Sequence, residues 1–302
     1  MEPEDPFPAS LLDRASHLRT DTERLLALWD SPDAQRVAVR DGAVALAATG
    51  DPVIGQVPRS VDLSPDGVRV LLGIDPDGRS WWLIRPAALT AAADVRWLGL
   101  RELGPRLSPL ELDVLMTAVA LESWHARHGF CPSCGRPTDV VSAGWVRRCS
   151  ADGTEHYPRT DPAVIVLVID DEDRALLGRQ ARWPSAWRSA LAGFVEPGER
   201  AESAVRREVA EEVALTLDRV HYIGSQPWPF PGSLMLGFHA WASSTEVRVD
   251  GEEIAQAEWY SREQLAQASS SGIIQLPPGI SIARSLIERW YGQPLPGSWL
   301  RG

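Results

Sequence analysis

Short apolar runs alternate with turn-forming clusters over the first hundred residues. The runs are Arg36–Arg40, Val44–Ala48, Val68–Ile74, Trp81–Ile84 and Val95–Leu98, parted by Asp-Gly, Pro-Asp-Gly and Asp-Pro-Asp-Gly turns. That punctuation predicts antiparallel β-structure, with one helix near Thr22–Trp29. Ser108-Pro109-Leu110-Glu111 then offers an N-cap, a proline at the first helical position and a Glu at the third. Leu112, Leu115, Val119 and 122–124 follow at helical spacing, which predicts a helix to about Arg127. After Asp161-Pro162 the pattern changes. Ala163–Ile169 is a continuous apolar run suited to a buried strand, with Ala175–Arg179 as its hairpin partner. A helix over Ala201–Val213, strands over Val220–Ser225, Leu234–Ala242 and Ala257–Tyr260, and an amphipathic helix over Ile280–Trp290 complete the expectation.

Charge narrows the chemistry. The 302 residues carry 41 acidic and 30 basic side chains, a formal charge of −11, and every basic residue is Arg; there is no Lys and no Asn. A P-loop, a Schiff-base lysine and a protein-kinase site all need a residue this chain lacks. The acidic balance argues against a broad nucleic-acid or anionic-membrane surface. No run approaches the ~20 apolar residues of a membrane span, and MEPEDPFPAS has no signal-peptide character. The cysteines are Cys131, Cys134 and Cys149, an odd number within 19 residues. That is the spacing of a metal site in a reducing compartment rather than of disulfides, so a cytoplasmic protein is expected.

The densest chemistry lies between Glu196 and Glu212, where six Glu face three Arg. At ~100° per residue, Glu208, Glu211 and Glu212 share one helix face. Carboxylates crowded in this way repel one another unless a counterion sits among them, and hard divalent cations such as Mg²⁺ or Mn²⁺ are the natural partners. Gly193, Glu199, Arg207, Glu208, Val209, Glu211, Glu212 and Leu215 also fall at fixed offsets, and this set resembles the Nudix box. One position departs: Ala214 stands where the family has Gly, which affects the end of the helix and not the carboxylates. The resemblance implies that Glu208, Glu211 and Glu212 are metal ligands, with Glu211 or Glu212 also acting on the attacking water. It implies that Glu199 and Arg207 brace the loop and helix, and that a later Glu completes the ligand set. Glu253 is the choice for that ligand, with Glu252 its rival. Backbone near Ala192 and Ala283 lies close to the metals in the family.

Ser225-Gln226-Pro227-Trp228-Pro229-Phe230-Pro231-Gly232-Ser233 follows. Its alternating prolines are expected to hold the segment near polyproline geometry, fixing two aromatic faces and the polar groups of Gln226 and Ser233. The array resembles the one that marks the NADH pyrophosphatases within the Nudix superfamily, which implies substrate binding by residues from Gln226 to Ser233. Tyr157 and Phe194 are candidates for stacking on a base, and Arg101 is a candidate phosphate contact.

Cys131-Pro132-Ser133-Cys134 is one zinc knuckle. The family has a second CxxC about fifteen residues on; here that stretch is Cys149-Ser150-Ala151-Asp152. Asp152 is the expected fourth ligand, ahead of His156, with loss of the metal a third option. A closed four-ligand site would be structural.

The expected fold class is α+β: a β-rich N-terminal domain over 1–106, a linker helix and zinc ribbon over 107–158, and a C-terminal α/β/α Nudix fold with a mixed sheet over 159–302. The resemblance implies metal-dependent hydrolysis of NADH or NAD⁺ to NMN(H) and AMP, removal of NAD caps from RNA 5′ ends, and a homodimer. The alternatives are a Nudix hydrolase of another nucleoside diphosphate derivative and a zinc-ribbon RNA-binding protein.

Overall fold

In a computed structural model, residues 10–62 and 68–299 are described. The expected Pro65-Asp66-Gly67 turn lies outside them. By their contacts the described residues divide into two units, one within 10–160 joined by 228–232, the other of 161–227 with 233–299.

The first unit is built on a five-stranded sheet. Its strands are β1 (Gln35–Arg40), β2 (Ala43–Ala47), β3 (Val68–Ile74), β4 (Ser80–Arg85) and β5 (Val95–Gly99), in the order β3-β4-β1-β2-β5. The Asp-Gly and Asp-Pro-Asp-Gly turns close antiparallel β1–β2 and β3–β4 pairs, and β2–β5 is antiparallel too. The pairing between the two hairpins is parallel, Val37 opposite Leu83, against the antiparallel expectation. Local turns set strand direction only within a hairpin. The long connection from β2 to β3 sets it between hairpins.

Helices α1 (Thr22–Asp30) and α2 (Leu100–Leu103) flank this sheet in sequence, and α3 (Pro109–Arg127) starts from the expected capping box of Ser108 and Glu111. Val114, Leu115, Ala118 and Val119 of α3 share one apolar cluster with Val37, Val39, Val70 and Leu83. At 1.5–3 kcal/mol for each large apolar side chain buried, this seam is the main anchor of the helix. A three-stranded antiparallel ribbon, β6 (Thr138–Val141), β7 (Val146–Cys149) and β8 (Glu155–His156), ends the unit.

The second unit is a three-layer α/β/α fold. Its strands are β9 (Asp161–Ile169), β10 (Ala175–Gln180), β11 (Leu191–Phe194), β12 (Leu217–Trp228), β13 (Ser233–Ala242) and β14 (Ile254–Tyr260), and its helices are α4 (Ala201–Val213), α5 (Arg262–Ser270) and α6 (Ile282–Tyr291). The order is β12-β13-β9-β10-β14, with β11 also on β9. Side chains alternate across a strand, and β9 uses both faces. Val164, Val166 and Val168 pack with Val205, Val209 and Val213 of α4; Ile165, Leu167 and Ile169 pack with Leu286, Ile287 and Trp290 of α6. The sheet is mixed, since β9 pairs with β13 parallel and with β10 and β11 antiparallel. Among the described residues no helix is long and apolar enough to cross a membrane.

The proline array departs from the polyproline expectation. Pro227 and Trp228 continue β12, and 229–232 form the turn into β13. Because β12 is the terminal strand of the sheet order, the missing N–H of Pro227 is tolerated there.

Candidate active site

Helix α4 carries the three box carboxylates, and their environments differ. Glu212 is 2% exposed, and its Oε2 has no hydrogen-bond partner among the described residues. Burial, joined by the negative charges of Glu208, Glu253, Asp250 and Glu211, pushes its carboxyl up to about 8. Burial also raises Glu208, against the pull of Arg207. Glu211 is exposed. Arg207 Nη1 donates to Glu208 Oε1 at 2.8 Å and to Glu211 Oε2 at 3.0 Å. Its Nε and Nη2 hold both oxygens of Glu199 at 3.0 and 2.8 Å, and Nη2 also donates to the Phe194 carbonyl at 2.9 Å. Glu199 lies well below the usual carboxylate range because of that contact. One guanidinium therefore ties the loop, β11 and two box carboxylates together.

Gly193 has a specific reason to be glycine. A Cβ there would stand 1.9 Å from Glu208 Cδ, so the carboxylate occupies the room a side chain would need. Hard cations fit this donor set: carboxylates on one face, a buried oxygen on Glu212 without a partner, and a backbone cleared of side chain beside Glu208.

Cys131, Cys134, Cys149 and Asp152 bring one ligand atom each within 4.8 Å of one another, and the three thiols are free. Two like knuckles present them. The Gly135 N–H donates to the Cys131 carbonyl at 2.9 Å, and the Gly153 N–H donates to the Cys149 carbonyl at 3.1 Å. Both glycines are left-handed, φ 71° and 73°, and Cys131 and Cys149 each donate a 2.8 Å hydrogen bond to the residue five further on. Asp152 thus stands in its knuckle where Cys134 stands in the other. Cys134 and Cys149 Sγ are 3.5 Å apart, near the roughly 3.8 Å edge of a zinc tetrahedron with Zn–S bonds of about 2.3 Å. The backbone N–H of Ser133 leads the contacts that pull the Cys131 thiol down to about 6, with His156 among them. His156 lies outside the four-atom cluster, and its Nε2 is buried without a hydrogen-bond partner among the described residues. No three of Glu208, Glu211, Glu212 and Glu253 come as close together as those four ligand atoms.

In the array, Trp228 and Phe230 meet edge to face at 5.1 Å and 71°, so they do not form a parallel platform. The Arg101 guanidinium lies 4.6 Å over Phe230, and the Ser123 hydroxyl donates to the Pro231 carbonyl at 3.3 Å. Beside them runs a cleft of about 490 Å³ lined by Gly42, Glu122, Ser123, Arg127, Phe230 and Pro231. Tyr157 and Phe194 are 63% and 60% exposed, open to a stacking ring. Ser233 begins β13 and is buried.

Residues 159–276 match the model of the NUDIX domain, and residues 126–157 match that of the NADH pyrophosphatase zinc ribbon domain. Over 291 residues the chain is 42% identical to the NAD-capped RNA hydrolase NudC of Mycobacterium bovis, covering 92% of each protein. This chain belongs to the NADH pyrophosphatase branch of the Nudix hydrolases. The NudC of Mycobacterium tuberculosis matches to the same extent. The human NAD-capped RNA hydrolase NUDT12 is 44% identical over 197 residues, 61% of this chain and 43% of that one.

In this Nudix hydrolase the later ligand candidates sit on the turn before β14. Glu252 and Glu253 are both exposed beside Gln180 and Arg182, and the charge of Glu253 acts on both Glu208 and Glu212. Asp250 is a residue that sequence reasoning missed. Its N–H donates to the Glu212 carbonyl at 3.2 Å, and its carboxylate accepts from the Glu253 and Ile254 N–H groups at 3.1 and 2.9 Å. It therefore links the end of α4 to the Glu253 backbone. An Asp-Gly turn just ahead of a strand was the available signal. Ala192 packs against the same apolar cluster that contains Ala283. Gln226 is buried with both ends of its amide engaged: Nε2 donates to the Ile280 carbonyl at 2.6 Å, and Oε1 accepts from the Ile282 N–H at 2.8 Å.

Proposed function

We propose that this chain hydrolyses the pyrophosphate of NADH and NAD⁺ to NMN(H) and AMP, and removes NAD caps from RNA 5′ ends by the same cut. The observation that carries this reading is one chain holding every box carboxylate together with the full Ser225–Ser233 array. Its similarity to proteins named NAD-capped RNA hydrolases over nearly its whole length supports the same reading.

Glu208, Glu211, Glu212 and Glu253, with the Ala192 and Ala283 backbone, would hold Mg²⁺ or Mn²⁺. When bound, such ions supply Lewis-acid activation of a phosphoryl oxygen and a water of lowered pKa. Of Glu211 and Glu212, the second is the better placed general base, because it is buried and keeps one oxygen without a partner among the described residues. Arg207 keeps Glu208 and Glu211 in register with the loop. Arg101, Tyr157, Phe194 and the array from Pro227 to Ser233 would hold the dinucleotide, with the aromatic rings on its bases and Arg101 on phosphate.

Cys131, Cys134, Cys149 and Asp152 would hold a structural Zn²⁺, supported by the two matched knuckles. Its role is to shape the ribbon, since a closed four-ligand site leaves no open position. Free thiols at metal-binding spacing support a cytoplasmic location, and resemblance to the family supports a homodimer.

The test is steady-state kinetics on NADH, NAD⁺ and NAD-capped RNA, with metal content and molar mass measured on the same sample. The reading expects AMP and a nicotinamide mononucleotide from the free dinucleotides, and a 5′-monophosphate RNA from the capped one. A decisive preference for ADP-ribose or a nucleoside triphosphate overturns it.

A further inference from the structure

The first turn of α6 is held in two independent ways. Helix starts leave N–H groups without intrahelical partners. Ser281 Oγ takes the Ala283 N–H at 3.3 Å. The Ile282 N–H is taken by Gln226 Oε1, which reaches it from β12, fifty-six residues away in sequence. The other end of the same amide donates to the Ile280 carbonyl. One planar group thus spans the turn on both sides of Ser281. The second hold is steric: a Cβ at Gly237 would stand 2.7 Å from Ile282 Cδ1, so β13 leaves a slot for that side chain.

We propose that Gln226 is a positioning residue, fixing the Ile280–Ala283 turn against the sheet rather than reading the substrate through its amide. An Asn or Gln side chain has limited hydrogen-bonding capacity, and here an acceptor and a donor of the buried amide are already engaged with backbone. The consequence reaches the carboxylates through packing. Ile282 and Ala283 lie in the apolar cluster against which Ala192 packs, and Ala192 precedes Gly193, the residue that makes room for Glu208. Loosening the turn should therefore impair the chemical step at saturating substrate. A side chain that read the dinucleotide would instead govern its binding. This inference rests on the hydrolase reading above.

The variants are Gln226→Met, which keeps length and volume and removes both hydrogen bonds, and Gln226→Glu, which keeps the acceptor for Ile282. Amide hydrogen exchange is measured on the ligand-free protein, and kcat and KM are measured with NADH. For Gln226→Met, exchange at Ile282 should be about tenfold faster, the size expected for one lost buried hydrogen bond. Its kcat should fall by about tenfold or more, with KM within about twofold of wild type. Gln226→Glu should retain Ile282 protection. Unchanged protection at Ile282 in Gln226→Met, or a loss confined to KM, overturns the proposal. If wild type fails to hydrolyse NADH, the hydrolase reading is what fails, and the exchange result still decides whether Gln226 holds the turn.

Discussion

The Glu208 carboxylate lies where a side chain at position 193 would begin: a Cβ on Gly193 would be 1.9 Å from its Cδ and 2.1 Å from Oε1. Strand β11 and helix α4 thus meet through an absent side chain. Gly193→Ala should fold, because the clashing group is the movable end of a Glu, but it must push that carboxylate aside. A displacement of about 1 Å at a catalytic group costs on the order of 100-fold in rate. We expect kcat to fall by about that factor with little change in melting temperature. An unchanged kcat would mean that Glu208 need not sit there.

Glu212 makes cation binding and stability depend on pH in opposite directions. Its carboxyl titrates at about 8 in the fold and near 4.5 when unfolded. Between those values the native state binds more protons, so the stability contributed by this group is present below the lower value and is lost as pH rises through about 8. Without divalent cations, raising the pH from about 5 to about 8.5 should lower the melting temperature, and Glu212→Gln should flatten that slope. Cation affinity should rise over the same interval as the competing proton leaves. Calorimetric titration with Mg²⁺ at several pH values checks this; affinity that falls with rising pH would contradict it.

Asp152 occupies the position in its knuckle that Cys134 occupies in the other. Asp152→Ala should therefore release zinc to a mild chelator at least about tenfold faster than wild type, while His156→Ala should retain one zinc per chain. Elemental analysis after dialysis distinguishes them. The reverse pattern would make His156 the ligand.

Ala214 ends α4 in the left-handed conformation, φ 57° and ψ 30°, with its N–H donating to the Ala210 carbonyl. A Cβ in that region costs on the order of 1 kcal/mol, and glycine avoids the cost. Ala214→Gly should raise stability by about 0.5–1 kcal/mol in chemical denaturation and leave kcat unchanged.

The parts of the molecule governed by near neighbours were legible in the sequence. Helix α4 and the capping box of α3 follow from spacing, and β9 follows from an apolar run that serves two faces. The parallel pairing of β1 with β4 was not legible, because its direction is set across a long connection rather than at a turn. Three prolines in five residues suggested a polyproline rod, but strand pairing along β12 and a turn at 229–232 prevail. The site divides in the same way. Box carboxylates and cysteines announce themselves by spacing, whereas Asp250 and the two engaged ends of Gln226 depend on contacts that only the folded chain brings together.

The most direct test of the central claim is the product analysis of NADH incubated with Mg²⁺ and either wild type or Glu212→Gln. The hydrolase reading predicts equal amounts of AMP and NMNH from wild type, and a rate at least about 100-fold lower from the variant, the scale of losing a general base. Equal rates from both proteins, or no AMP from either, would contradict it.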